Sequence, residues 1–409
     1  MSLYSIRQAL AALMVAVLVS ACGGSGSSAP PPAGGITVTP GDGSATVTWV
    51  STPGVKYWLF YAPSATINST DWINVPGSRA ILDVTSPYVV SGLANGYTYS
   101  FTVNARNGDG PGGPGTPSVT AVARPAGATW NAGDKLGSNT IRSITYGTST
   151  ADSLGYYMAV GDGGSTYRSS NGLSWTGIGA AAATSMNAAT YTLSKFIVVG
   201  NAGTISYGTD LSTWTPATAG TTENLNAIVS SGAVAVAVGN KGTVRTSVDG
   251  VTWTAATVPT TQNLYAVSYA GSGVWVAVGA GGTLLTSTDA STWIAVASGT
   301  VADLRSVAVQ VTTTYTFVAT GNGGAVVRST DGGVTWAAQT SGTTADLLAV
   351  NPTSSQLLAV GTGGTVITSP DGITWTTRAS GTTASLYAVI SGFSQYVAVG
   401  EGGSNINSQ

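Results

Sequence analysis

The feature that most limits what this chain can fold into is a repeat. Seven times the chain places an apolar run directly before a glycine. The copies are Tyr-Met-Ala-Val-Gly at 157–161, Phe-Ile-Val-Val-Gly at 196–200, Val-Ala-Val-Ala-Val-Gly at 234–239 and Trp-Val-Ala-Val-Gly at 275–279. Phe-Val-Ala-Thr-Gly at 317–321, Leu-Leu-Ala-Val-Gly at 357–361 and Tyr-Val-Ala-Val-Gly at 396–400 complete the set. Each run enters a glycine-rich turn and a second short strand. A polar box follows in six copies, ending at Trp175, Trp214, Trp253, Trp293, Trp336 or Trp375. Successive tryptophans lie 39, 39, 40, 43 and 39 residues apart. A period near 40 with several short strands per unit is that of four-stranded blades arranged around an axis. Residues 128–409 are expected to form a seven-bladed β-propeller within an all-β chain.

Six boxes for seven blades locate the closure. The sequence Gly-Gly-Ser-Asn-Ile-Asn-Ser-Gln at 402–409 occupies the place of a seventh unit without its box. Gly127-Ala128-Thr129-Trp130 supplies the missing outer piece. Pairing of residues 128–132 with 403–408 would join first blade to last and leave no open ring.

The box Ser329-Thr330-Asp331-Gly332-Gly333-Val334-Thr335-Trp336 resembles the Asp-box of bacterial-neuraminidase-type (BNR) repeats. The other boxes are degenerate, with Asn171 for Asp, Gly208 for Ser, and Leu211 and Ala290 for Gly. The full repeat, with its linking Ser-Gly-Thr-Thr-Ala-Asp-Leu, is similar to propellers of the photosystem II assembly and stability-factor type. The boxes are expected to be structural. Asp210, Asp249, Asp289, Asp331 and Asp371 can accept backbone N–H groups in tight hairpins while the tryptophans pack on the sheet. The resemblance implies a fold, and propellers host unrelated activities.

Composition narrows those activities. With no histidine and one cysteine, the chain cannot build a Ser–His–Asp triad, a histidine-ligated metal site, an intrachain disulfide or a Cys₄ zinc site. A net charge of −2, with charged residues at only 7%, gives no basic surface for nucleic acid. No cofactor and no metal are implied. Sialidases, which share Asp-boxes, use an arginine triad, a Tyr–Glu nucleophile pair and an acid/base Asp on six blades. The propeller here has Glu223 and Glu401 as its two glutamates, and Arg142 and Arg305 as the arginines at its mouth. Glycoside hydrolysis is disfavoured, and no residue is assigned a catalytic role.

Residues 1–21 carry one positive charge, Arg7, and an apolar run at 9–19, which reads as a signal peptide too short to span a bilayer. Val-Ser-Ala-Cys at 19–22 resembles a bacterial lipobox, which implies cleavage before Cys22 and its acylation. Residues 22–35 then form a Gly/Ser/Pro tether. Gly23, where an Asp would signal inner-membrane retention, points to the outer membrane or cell surface.

Residues 36–124 carry short alternating runs at 36–38, 45–50, 56–61, 89–90, 97–106 and 119–122, the pattern of a β-sandwich. The segment 92–107, Gly-Leu-Ala-Asn-Gly-Tyr-Thr-Tyr-Ser-Phe-Thr-Val-Asn-Ala-Arg-Asn, resembles the fibronectin type III signature. That resemblance makes Tyr99 the tyrosine-corner residue and Trp49 the core tryptophan. Alternation sets Tyr57, Leu59 and Tyr61 on one face and Trp58 and Phe60 on the other. An outward Trp58/Phe60 patch could stack on sugar, pack against another domain or lie beneath a loop.

A binding site is expected where the innermost strand of each blade begins. That strand reads Leu-x-Ala-Val, and x varies as Arg142, Asn187, Asn226, Tyr265, Arg305, Leu348 and Tyr387. The residue before Leu varies too, as Asn224, Asn263, Asp303 and Asp346. The candidate rim is Arg142, Asn187, Asn226, Tyr265, Asp303, Arg305 and Tyr387. Its chemistry suits a peptide segment, an acidic glycan or a carboxylate. The sequence thus describes a lipid-anchored, non-catalytic protein of the bacterial envelope whose propeller binds a protein or glycan. The alternatives are a membrane-protein assembly factor or, least favoured, a sialidase-like hydrolase.

Overall fold

The computed structural model describes residues 26–41, 43–123, 127–311, 314–353, 356–392 and 395–408. Cys22 and the leader before it lie outside the described residues. The chain divides into two compact units, Met1–Pro125 and Ala126–Gln409.

Among the described residues the first unit is a β-sandwich of eight strands: β1 (Ser27–Ala29), β2 (Ile36–Gly41), β3 (Ser44–Trp49), β4 (Val55–Ala62), β5 (Arg79–Val84), β6 (Tyr88–Ser91), β7 (Thr98–Asn107) and β8 (Val119–Val122). One sheet runs β2-β3-β6; the other runs β1-β7-β4-β5, with β8 also on β7. The sandwich begins earlier than the sequence reading sets it. Strand β8 pairs only with Thr98–Phe101 of β7, and β1 pairs with the remaining Ala105–Asn107. Ser27–Ala29 therefore belong to the sheet and not to the tether, and Ala29 is buried in the core. Trp49 packs on Tyr57 with ring centroids 5.6 Å apart, and the Tyr99 hydroxyl accepts the Ala94 N–H at 3.0 Å.

Among the described residues the second unit contains seven four-stranded antiparallel sheets. Their first strands are Ile141–Thr148, Met186–Thr192, Leu225–Ser230, Leu264–Tyr269, Leu304–Val311, Leu347–Pro352 and Leu386–Gly392. These pack on one another in sequence, and the last packs on the first, so they form the inner ring of a closed propeller. The second strand of each blade lies between neighbouring blades on both faces, so it reads as an unbroken apolar run. Val276, Ala277 and Val278, for example, have no exposed surface. The residues that open the inner strands, such as Leu225, Leu264 and Leu386, are fully buried. Each contributes about 1.5–3 kcal/mol by burial.

The glycine ending each second strand is there for close approach, since its backbone is extended. A Cβ at Gly279 or Gly321 would overlap the carbonyl oxygen of Asn263 or Asp303, the residue that precedes the paired inner strand. Closure follows the expected pairing. Asn131–Ala132 add as the outer strand of the last sheet, opposite Asn407 and Ile406. The Gly127 N–H donates to Ser408 Oγ at 3.1 Å, and Trp130 Nε1 donates to the Gly127 carbonyl at 2.9 Å. Within one blade, Gly372 donates to Ser369 Oγ and Trp375 Nε1 to the Gly372 carbonyl. The seventh box is therefore reassembled from both ends of the propeller.

Candidate binding site at the propeller mouth

Antiparallel strands place two kinds of segment at the end where the inner strands start: the links entering each blade and the glycine-rich turns between second and third strands. The Leu-x-Ala entry has a common backbone cause. In all seven blades the ladder shifts register across residue x, as between Leu264 and Ala266. The x residue is the extra member of a β-bulge, left out of the ladder and free to aim its side chain away from it. This is why x drifts while its neighbours repeat.

The structure divides the seven x residues into two arcs. In blades 2 and 3, Asn187 and Asn226 are latches. Asn187 Nδ2 donates to Asn201 Oδ1 at 3.0 Å and across to the Leu225 carbonyl of the next blade at 2.9 Å. Asn226 repeats this with Asn240 Oδ1 at 3.0 Å and the Leu264 carbonyl at 2.8 Å. Their amides, expected among the ligand-binding groups, are used between blades.

The second arc runs through blades 4, 5, 6, 7 and 1, as Tyr265, Arg305, Leu348, Tyr387 and Arg142. The Arg305 guanidinium lies 4.3 Å from the Tyr265 ring centroid, and that of Arg142 lies 6.0 Å from Tyr387. Each arginine thus stacks on the tyrosine of the preceding blade. Arg142 Nε donates to Asp162 Oδ1 at 2.6 Å and its Nη2 to Oδ2 at 3.2 Å. Arg305 Nε donates to Asn322 Oδ1 at 2.8 Å and its Nη2 to Asp303 Oδ2 at 3.1 Å. Leu348 sits half-buried between the two Tyr–Arg pairs.

The residue before Leu has its own task. Asn224, Asn263, Asp303 and Asp346 each accept a backbone N–H from the preceding blade's turn, at Ala202, Lys241, Gly281 and Gly323, over 2.8–3.0 Å. Asp303 therefore both caps a turn and holds Arg305. Sequence reasoning missed Asp162, Asn201, Asn240 and Asn322, the partners of the x side chains. The signal was present: the residue after the strand-ending glycine is Asp or Asn in four of seven copies.

Two other sets of sequence candidates lie elsewhere. Phe60 is 2% exposed beneath Trp72, with centroids 5.6 Å apart, and Ile67 shares that small apolar cluster. Trp58 lies under the Arg106 guanidinium at 4.4 Å. Residues Ile67 and Trp72 cover Phe60, and Arg106 covers one face of Trp58, so the two rings do not form an open platform together. At the opposite end of the propeller, the box acids bind their own hairpins. Asp249 Oδ1 accepts the N–H groups of Val251 and Thr252, both at 2.8 Å, and the Ser247 hydroxyl at 2.9 Å. Asp210, Asp289, Asp331 and Asp371 each accept two backbone N–H groups in the same way. Trp293 and Trp336 donate Nε1–H to the carbonyls of Ala290 and Gly333, both at 3.1 Å. Among the described residues no three His, Cys, Asp or Glu side chains gather as a metal site.

These features define a class: a β-sandwich followed by a seven-bladed propeller with an open mouth. Residues 29–121 match the fibronectin type III domain. The chain is similar in structure to YCF48 from Cyanidioschyzon merolae, at 18% identity and a TM-score of 0.55, over 69% of this chain and 99% of that one. A structure of YCF48 bound to D1 peptide matches at 16% identity and a TM-score of 0.55, over 68% and 94% of the two chains. The WD40 β-propeller domain of Doa1 matches at 13% identity and a TM-score of 0.55, over 69% and 97%. No curated protein matches the chain in sequence.

Proposed function

We propose that this chain is a non-catalytic binding protein whose propeller mouth captures a segment of another protein. The observation that carries the reading is the arc Tyr265–Arg305–Leu348–Tyr387–Arg142. It presents two stacked Tyr–Arg pairs and an aliphatic side chain on a rigid ring, while the neighbouring Asn187 and Asn226 lock the frame. Aromatic and arginine side chains held in fixed rotamers give contact area at low entropic cost. The structure of YCF48 with a bound peptide supports a peptide ligand for this type of propeller. The box Asp side chains, satisfied by their own hairpins, and the box tryptophans packed on the sheet serve as Asp-box-type staples and not as ligand sites.

The test replaces Arg142, Tyr265, Arg305 and Tyr387 together with Ala. Capture of a crosslinked partner on intact cells is expected to be lost, with little change in melting temperature. A large fall in stability would reassign the four residues to the frame.

The proposal includes a place. Cys22, acylated after signal cleavage, would hold the chain at the envelope, with the outer membrane or cell surface as its site. Several acyl chains, each contributing about 0.8 kcal/mol per buried CH₂, give an anchor that does not detach. Cys22→Ser is expected to move the chain from the membrane fraction to the soluble one; membrane retention of the variant would remove the anchor.

A further inference from the structure

Charge at the mouth decides what kind of segment it can take. Resting on the reading that the mouth is a binding site, we infer that its ligand is a neutral-to-cationic polypeptide segment, with an aliphatic residue against Leu348 and lysine or arginine beside it. The two arginines do not offer an anion site. Arg142 is held by both oxygens of Asp162, and Arg305 by Asp303, so each guanidinium is neutralised in place with its Nε/Nη2 edge occupied. A ligand carboxylate seeking the bidentate edge of either would have to displace a resident acceptor.

Two carboxylates on the same arc are in the opposite position. Asp346, two residues before Leu348, accepts the Gly323 N–H through Oδ1, and Glu401 accepts the Ser385 N–H through Oε2. Among the described residues neither has a cation within 4 Å. Of the other charges on the links and turns, Lys241 pairs with Glu223 at 2.9 Å, and Lys135 and Asp134, adjacent in sequence, add one charge of each sign. An approaching segment therefore meets neutralised arginines and two uncompensated acids.

The same geometry favours polypeptide over sugar. Arg305 covers one face of Tyr265 at 4.3 Å, which removes that face as a stacking platform for a pyranose ring. What remains on the arc is a set of donors and acceptors suited to main-chain amides. The Nη1 groups of both arginines and the phenol hydroxyls of Tyr265 and Tyr387 can donate to peptide carbonyls, and Asp346 and Glu401 can accept from N–H groups or side-chain cations.

The experiment uses the full chain, purified in mild detergent and immobilised. Two displayed libraries of random 12-residue peptides serve as probes, one lacking Asp and Glu, the other lacking Lys and Arg. The expected result is enrichment of the first library, with Leu, Ile or Val flanked by Lys or Arg in the selected peptides. Asp346→Asn with Glu401→Gln should cut that enrichment roughly tenfold at low salt, since both amides still accept the backbone N–H while the charge is gone. Enrichment of the library lacking Lys and Arg, abolished by the four-residue rim variant, would overturn the charge assignment but keep the mouth as the site. Enrichment of neither library, or enrichment that survives the rim variant, would overturn the mouth reading itself.

Discussion

The repeated polar side chains of the boxes and the drifting ones of the mouth are used in different ways. At the box end, each blade satisfies its own hairpin. Ser247 and Asp249 bind groups two and three residues away, and Ser369 and Asp371 repeat those bonds in another blade. At the mouth, the bonds cross between blades: Asn187 reaches Leu225, Asn226 reaches Leu264, and Asp346 reaches Gly323. A local bond demands the same residue types at the same spacing in every blade, so it leaves a repeat. A bond between blades demands only that two neighbours match each other, so each pair can differ from the next. Repetition here marks what holds a blade together, whereas drift marks both the latches between blades and the surface proposed to meet a partner.

The largest effects are expected where drift conceals a latch. Asn226→Ala would leave the Leu264 carbonyl and Asn240 Oδ1 without their donor in a half-buried site. A loss of about 1–2 kcal/mol is expected from an orphaned polar group of this kind. Asn187→Ala should behave alike, because Leu225 and Asn201 stand in the same geometry. Arg305→Ala, at an ion pair whose side chains are 31% and 28% exposed, should cost less than about 1 kcal/mol. Urea denaturation of the three variants measures this directly. Equal losses from Asn226→Ala and Arg305→Ala would erase the distinction between latching and presenting arcs.

The same distinction explains how much of the molecule was legible in its sequence. Blade number, closure and box placement rest on residues within one hairpin of each other, and Gly127, Trp130 and Ser408 obey that rule across the closure. The position of the x residues was legible because a bulge frees one side chain per blade. Their roles were not, because Asn187 and Arg142 occupy equivalent positions and differ only in partner. The sandwich shows the same limit. Alternation put Phe60 opposite Leu59, but nothing periodic in residues 63–78 told that Trp72 would fold back over it. Ser27–Ala29, flanked by Gly, Ser and Pro, carried no strand pattern; the ladder left open on β7 by short β8 recruited them.

The box end offers a sharper, smaller test through pH. The Thr213 and Ser212 N–H groups hold the Asp210 carboxyl down at about 2, and the Thr335 hydroxyl and N–H hold Asp331 at about 2. Asp249 and Asp289 are lowered by the paired N–H groups of Thr252 with Val251 and of Thr292 with Ser291. An unfolded Asp titrates near 3.9. Because the folded values are depressed, the stabilisation is present above that unfolded value and is lost as pH falls through the folded ones. Melting temperature should therefore decline between about pH 4 and pH 2. Blade 1 supplies the control, since Asn171 Oδ1 accepts the Leu173 and Ser174 N–H groups at 2.9 and 3.0 Å and the Ser169 hydroxyl at 3.0 Å, without a titrating proton. Replacing Asp210, Asp249, Asp289 and Asp331 by Asn should keep the fold and flatten the acid limb. An unchanged limb would place the acid-sensitive carboxylates outside these four boxes.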